Sequence, residues 1–336
     1  MKAIYYEGDK KLRIGECVPV SPQQNEVQIQ VAYSGVCGTD LHIYLGHMDK
    51  RVTLPQIMGH EMSGYVTAIG EGVTNVKVGD KVTVRPLRPC MDCPACIGGH
   101  THICHNLKFL GIETSGAFQR FWTVPEYAVH LLPEGLSLEH GALIEPLAVA
   151  CHDVRRGEVK KGDFIVVIGG GPIGTLIALV AKQAGAQVVV SEINQFRIKL
   201  LTELGINVIH PLEELEKYVI DKTNGAGADV VFEVTSTIKG AETMTKLPRT
   251  RGKIVVVGIF SEPVKVDLHR FFWRELELLG ARVYESEDFE HAIRLTDSAQ
   301  LPLDKLITIL PVEKAEDAFK QMVSGGKVMK ILLDLR

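Results

Sequence analysis

Fifteen residues from Cys90 to Cys104, CMDCPACIGGHTHIC, carry four cysteines at the spacing C-x2-C-x2-C-x7-C. Four thiolates so placed can enclose Zn2+ tetrahedrally. A sphere filled by Cys90, Cys93, Cys96 and Cys104 leaves no position for a substrate, which marks a structural rather than a catalytic metal site. An iron–sulfur cluster would accept the same four ligands, but the nucleotide turn described next needs no electron relay beside it. With the sphere filled, His100 and His102 read as polar loop residues.

A second group is Gly169, Gly171 and Gly174, a G-x-G-x-x-G in DFIVVIGGGPIG (163–174). The motif alone is weak evidence. Here an apolar run precedes it, and TLIALVAKQAGA (175–186) follows with helical spacing, so it sits inside a β-α-β unit. The first glycine permits the tight turn. The second lets the backbone approach a pyrophosphate, and the third lets helix pack on strand. Pro172 and Ile173 lie within the same turn, and the free N–H groups at the helix start face the phosphates. Glu192 ends the next strand, QVVVSE. A carboxylate there accepts hydrogen bonds from ribose hydroxyls and repels a 2′-phosphate, which favours NAD over NADP. Arg197 lies close by and pulls the other way.

Three further segments hold reactive side chains. VCGTDLH (36–42) contains Cys37, Thr39, Asp40 and His42; GHEMSG (59–64) contains His60 and Glu61; EPLAVACH (145–152) contains Glu145, Cys151 and His152. Cys37, His60 and a carboxylate from Glu61 or Glu145 would make three ligands with a fourth position open, the pattern of catalytic zinc. Spacing does not join them. One at a time, Cys37 reads as a small buried hydrophobe and His60 as a structural histidine. Asp40 reads equally as the N-cap of a helix over LHIYLG or as an orienting partner of a metal-bound imidazole. Cys151 and His152 read as packing residues.

These groups need a frame. A chain of 336 residues is long for one core and predicts two domains. With 46% hydrophobic and 23% charged residues it can bury ordinary cores. Up to about residue 145, short alternating runs such as EVQIQVAY (26–33) and KVTV (81–84) predict an irregular, mostly β domain. Near residue 150 the texture changes. Apolar strands (163–168, 187–192, 229–234, 253–258, with a further one at 276–281) alternate with helices, which predicts an α/β doubly wound parallel sheet. The last fifty or so residues hold a helix at 312–323 and a strand at 327–335. A net charge of −4 offers no basic surplus for nucleic acid or an anionic membrane. No apolar run reaches the roughly 18 residues of a membrane span, and the N-terminal run lacks the apolar core of a signal peptide. Seven cysteines, an odd count, oppose a disulfide frame and fit the reduced thiols of a cytoplasm.

GHEMSGYVTAIGEGV (59–73) resembles the zinc signature of the medium-chain alcohol dehydrogenases, and CGTDLH, the four-cysteine lobe and the glycine turn follow in that family's order. The resemblance spans essentially the whole chain. It implies a GroES-like, mostly β catalytic domain (1–148, with a zinc lobe at about 86–108), an inserted Rossmann domain (149–284) and a C-terminal segment (285–336) that completes the first. GALIEPLAVACHDVRRG (141–157) is similar to the sorbitol dehydrogenase branch, and SEINQFR (191–197) to bacterial sugar-acid 5-dehydrogenases. Carried over, Cys37, His60 and Glu61 are the first ligands of catalytic zinc, with Glu145 a direct or water-linked ligand that exchanges with Glu61, and the four lobe cysteines hold structural zinc, giving two zinc ions per chain. One motif departs: animal polyol enzymes carry Arg just before a Tyr, whereas here Val283 precedes Tyr284.

The implied reaction is oxidation of a secondary alcohol (polyol, sugar acid or a relative) to a ketone, with hydride passing to NAD. Thr39 and His42 would relay the proton, and a homotetramer or homodimer is implied. Loops at 42–56, 108–118 and 270–290 would set specificity. L-Threonine 3-dehydrogenase and 2,3-butanediol dehydrogenase are alternatives of the same fold; a non-enzymatic zinc-lobe protein is the alternative of another class.

Overall fold

A strand that is apolar at nearly every position must be covered on both faces. Phe164–Ile168 is such a strand, and Gln187–Ser191 and Ala228–Glu233 carry the same apolar run through their middles. In the computed structural model, which describes all residues from Met1 to Arg336, they form the centre of a six-stranded sheet. Its order is Asn207–Ile209, Gln187–Ser191, Phe164–Ile168, Ala228–Glu233, Pro248–Val256 and Glu277–Gly280, all parallel. The order reverses between Phe164–Ile168 and Ala228–Glu233, and ligands of such sheets bind beyond the strand ends at that reversal. The glycine turn starts there. The predicted helix after it runs Pro172–Gln183, with proline in its first turn, where a missing N–H does no harm. The next runs Gln195–Glu203, capped by the Asn194 side chain, which accepts the Arg197 N–H. The predicted strand in LELLGA is Glu277–Gly280.

Besides a three-stranded and a two-stranded sheet, the β-rich part is built on a seven-stranded sheet. Its order is Val129–Leu131, Lys81–Val84, Glu61–Ile69, Glu26–Gly35, Lys330–Asp334 and Ile307–Pro311, and Phe121–Pro125 pairs with Glu26–Gly35. The C-terminal strand Lys330–Asp334 lies beside the strand that leads to Cys37, with Leu332 opposite Gly35. The predicted helix at 312–323 begins as a short 3-10 turn and continues as the helix Ala315–Val323.

The chain divides into two units, one of Met1–Glu145, Phe289–Ala299 and Leu303–Arg336, the other of Pro146–Asp288 with Gln300–Pro302. The sequence reading sets the two changes at 148 and 284; in the structure they fall at Glu145 and Asp288. No helix is long and apolar enough to cross a membrane.

Candidate active site and metal centres

Sheet register joins residues that spacing left apart. Glu26–Gly35 pairs antiparallel with Glu61–Ile69, and Gly35 stands opposite Glu61. Cys37 follows the end of one strand and His60 precedes the start of the other. Ligand atoms of Cys37, His60 and Glu61 consequently lie within 4.8 Å of one another. His60 and Glu61 are only 3% and 1% exposed, so their polar groups have left water and need partners.

Two partners lay outside the sequence reading. A Cβ added to Gly35 would fall 2.2 Å from Glu61 Oε2, so glycine is what leaves room for the carboxylate. Lys330, buried in the next strand, forms an ion pair with the same oxygen. Burial opposes its charge, but Glu61, then Cys37 and Glu145, outweigh burial and raise the lysine pKa.

Cys37 is also the N-cap of the helix Gly38–Tyr44. Its Sγ accepts the Thr39 N–H at 3.4 Å, and Asp40 Oδ2 accepts the Cys37 N–H at 2.9 Å. This reciprocal capping box places Asp40 at the third helical position. The reading of Asp40 as N-cap is thus corrected: the cap must precede the first turn, and Cys37 does. The second Asp40 oxygen, Oδ1, stands 3.7 Å from His60 Nδ1, and neither atom has a hydrogen bond. Thr39 is half-buried on this helix and His42 exposed.

Glu145 opens the helix Ile144–Arg156 and is 5% exposed. It stands outside the 4.8 Å group, but its charge acts on both His60 and Lys330. Burial alone would lower the pKa of His60. Asp40, Cys37 and Glu145 reverse this and hold it well above 6.5. A buried imidazole ringed by Asp40, Cys37, Glu61 and Glu145 lies among groups that favour a cation. One sulfur, one nitrogen and carboxylate oxygens are the donors zinc takes.

The cysteine lobe is a different kind of site. Cys90, Cys93, Cys96 and Cys104 have their sulfurs within 4.8 Å of one another, and all are free thiols. Sγ of Cys104 is 3.3 Å from Cys90 and 3.8 Å from Cys93, and accepts the N–H of Cys90 and of Asn106. The Cys96 N–H, and after it that of His105, draw the Cys93 thiol down to about 6 against burial, while burial pushes Cys96 up to about 12. The buried centre of the lobe is these sulfurs with only Ala95 and Leu107 packed on them. Four such donors fit a closed tetrahedral zinc. His102 is not the loop decoration the sequence suggested: it is buried, because the turn Thr101–Ile103 folds it inward.

At the glycine turn, a Cβ on Gly174 would fall 1.9 Å from the carbonyl oxygen of Gly169, so helix and strand approach only through glycine. At Gly171 a Cβ would meet only Arg197 Nη1, at 3.5 Å, and that open space is where a pyrophosphate would need the backbone bare. Pro172 and Ile173 are half-buried beside it. Glu192 spends much of its carboxylate on backbone: Oε2 accepts the Gly170 N–H at 3.0 Å, and Oε1 accepts those of Ile193 and Asn194 at 2.7 and 2.8 Å. Arg197 Nη1 lies 3.7 Å from Oε2. His152 is more than a packing residue, since Nδ1 lies 2.8 Å from Asp288 Oδ2, and Arg155 donates to both Asp288 oxygens. Tyr284 is fully buried and Val283 has φ of 47°, so the displaced motif sits in a tight, covered turn. Of the loops expected to set specificity, 42–56 and 108–118 are tied together by Arg51, whose Nε donates to Glu113 at 2.8 Å.

Residues 23–134 match the family model of the alcohol dehydrogenase GroES-like domain, and residues 172–298 that of the zinc-binding dehydrogenases. The 2-dehydro-3-deoxy-L-galactonate 5-dehydrogenase of Pseudoalteromonas atlantica is 50% identical over 336 residues, covering 99% of this chain and 98% of that one. The sorbitol dehydrogenase of Halalkalibacterium halodurans is 33% identical, over 93% of this chain and 92% of its own. The crystal structure of 2R,3R-butanediol dehydrogenase from Bacillus subtilis superimposes with a TM-score of 0.92 at 31% identity, covering 99% of each chain. These matches make the chain a zinc- and nicotinamide-dependent dehydrogenase, a member of the polyol and sugar-acid branch of the zinc-containing medium-chain alcohol dehydrogenases.

Proposed function

We propose that the protein oxidises a secondary hydroxyl of a sugar acid to a ketone, with NAD as acceptor. The observation that carries this is the buried convergence of Cys37, His60 and Glu61 next to Glu145 and a charged Lys330. Cys37, His60 and Glu61, with Glu145 as an exchanging fourth group, would hold one zinc; Cys90, Cys93, Cys96 and Cys104 would hold a second. When bound, the first zinc would supply the Lewis acidity that lowers a hydroxyl pKa, and the nicotinamide would supply the hydride acceptor.

The chain's own residues do the rest. Asp40, fixed by the cap at Cys37, stands 3.7 Å from His60 Nδ1, placed to orient that ring once the imidazole holds zinc. Lys330 holds the Glu61 carboxylate on one side and keeps its charge compensated. The Thr39 hydroxyl passes the alcohol proton outward, and His42 accepts it. Gly169, Gly171 and Gly174, with Pro172 and Ile173, seat the pyrophosphate. Glu192 would meet the ribose with what remains of its accepting capacity, and Arg197 holds its charge 3.7 Å from the same carboxylate. That charge makes the preference for NAD partial rather than strict.

A sugar acid is favoured over a plain polyol by the half-identical relative, whose name specifies an acid oxidised at carbon 5. NADH formation across aldonates, 2-keto-3-deoxyaldonates, polyols, butanediol and threonine tests this. The acids should exceed the polyols in kcat/KM by about 10²-fold or more, since a site built for a charged group rejects analogues lacking it. Highest kcat/KM with threonine or butanediol would overturn the substrate reading.

The same reading includes a homodimer. Glu277–Gly280 is an open edge strand, and beside it in sequence the helix Leu268–Arg274 buries none of its residues and exposes Phe272 and Trp273. An unpaired edge and an apolar patch together invite a second copy. Light scattering should give at least a dimer, and Trp273→Glu should shift it toward monomer; a monomeric wild-type protein would contradict this.

A further inference from the structure

We infer that His47 is the outer partner of His42, and that the two imidazoles together deliver the substrate proton to solvent. The inference rests on the relay reading of Thr39 and His42. His47 belongs to neither set of candidate zinc ligands.

The contact is built by the backbone. Thr39 and His42 are three residues apart on one helix and so share a face. The helix closes at Leu45, Gly46 adopts φ of 82°, and the His47 N–H donates to the His42 carbonyl at 2.9 Å. This six-to-one closure with a left-handed glycine is the Schellman pattern. It turns the chain back on itself and sets the His47 ring on the His42 ring. The centroids are 5.5 Å apart, and Nδ1 faces Nδ1 at 3.2 Å.

Two ring nitrogens at that distance must hold one hydrogen between them, because two lone pairs would repel and two N–H groups would collide. The rings therefore take complementary tautomers. With the hydrogen on His42 Nδ1, His42 Nε2 is free to accept and His47 Nε2 carries a hydrogen to release. A proton arriving at His42 Nε2 lets the Nδ1 hydrogen cross to His47 Nδ1, and the Nε2 hydrogen of His47 leaves to water. One proton enters, one leaves, and both rings end neutral with tautomers exchanged. Both rings are exposed, so solvent resets them.

The surroundings favour this direction. Partial burial, then the charge of His47, lower the pKa of His42, so it stands neutral and ready to accept near pH 7. Other charged groups nearby are engaged elsewhere. Asp49 accepts from the Tyr6 hydroxyl at 3.1 Å. Lys320, on the helix packed against Tyr44, pairs with Glu316 at 2.7 Å, and Asp317 pairs with Lys314.

The test compares His47→Gln, His42→Gln and the double variant in the zinc-loaded enzyme. It reads NADH formation in single turnover against pH, so that product release does not mask the step. His47→Gln should slow the step about tenfold, less than the 10²–10⁴ of a full general base. KM should stay within about twofold, and the acid limb should move to higher pH because the charge that lowers the His42 pKa is gone. Imidazole in the buffer should restore the rate. The double variant should be no slower than His42→Gln alone, since the two act in series. If His42→Gln slows the step and His47→Gln does not, the inference is overturned and the relay stands. If His42→Gln has no effect, the relay reading itself falls.

Discussion

Cys37→Ser is expected to lower NAD-dependent turnover at least about 10³-fold, beyond the 10–100-fold that outer partners of a metal site are worth. The variant separates chemistry from folding. Cys37 caps the helix Gly38–Tyr44 by accepting the Thr39 N–H, and serine is among the best residues at that position. Asp40 keeps its bond to the backbone at residue 37, and Lys330 keeps Glu61. The frame survives; what disappears is the sulfur, the one soft donor beside His60. Zinc should fall from two to one per chain, with the melting temperature shifted by no more than about 2–4 °C, the effect of roughly 1 kcal/mol in a chain of this size class. Turnover within tenfold of wild type would remove Cys37 from the site.

Cys104→Ser is expected to act the opposite way. Its sulfur touches Cys90 and Cys93 and accepts two backbone N–H groups, so it is the hub of the lobe. Around it lies almost no apolar core: Met91 and Ile97 face solvent at 66% and 77% exposure. Such a lobe takes its folding energy from the metal, as small zinc modules do. Losing one ligand should lower the melting temperature by about 5–10 °C, given about 2–4 °C per kcal/mol. It should also open residues near 90–104 to protease. Molecules still folded should keep turnover within a few-fold. Lost turnover with an unchanged melt would make the lobe the reactive centre.

What was legible in the sequence follows from range. The glycine turn, its flanking strand and its helix are neighbours in the chain, so their pattern carried the nucleotide site. The four cysteines fall within fifteen residues and reported themselves. Cys37, His60 and Glu61 meet through strand register, which no spacing rule encodes; resemblance supplied that set. Gly35 and Lys330 escaped for the same reason. Nothing local says that a glycine ending one strand makes room for a carboxylate, or that a lysine near the C-terminus compensates it. Asp40 reads in sequence equally as a cap or as a partner of an imidazole, and only the first of these falls, because Cys37 takes the cap position. The Glu192 expectation needs the added fact that three backbone N–H groups claim its carboxylate first.

The central claim is that the dense cysteine cluster is the frame and the sparse set does the work. Stepwise zinc removal with a chelator tests it most directly, following bound zinc, NADH formation and thermal melting on one sample. Two zinc per chain are expected at the start. The first to leave should come from the mixed sulfur, nitrogen and carboxylate set, taking turnover with it and leaving the melt nearly unchanged. The second should leave later and bring the melt down. Turnover that survives loss of the first zinc and falls only together with thermal stability would contradict it.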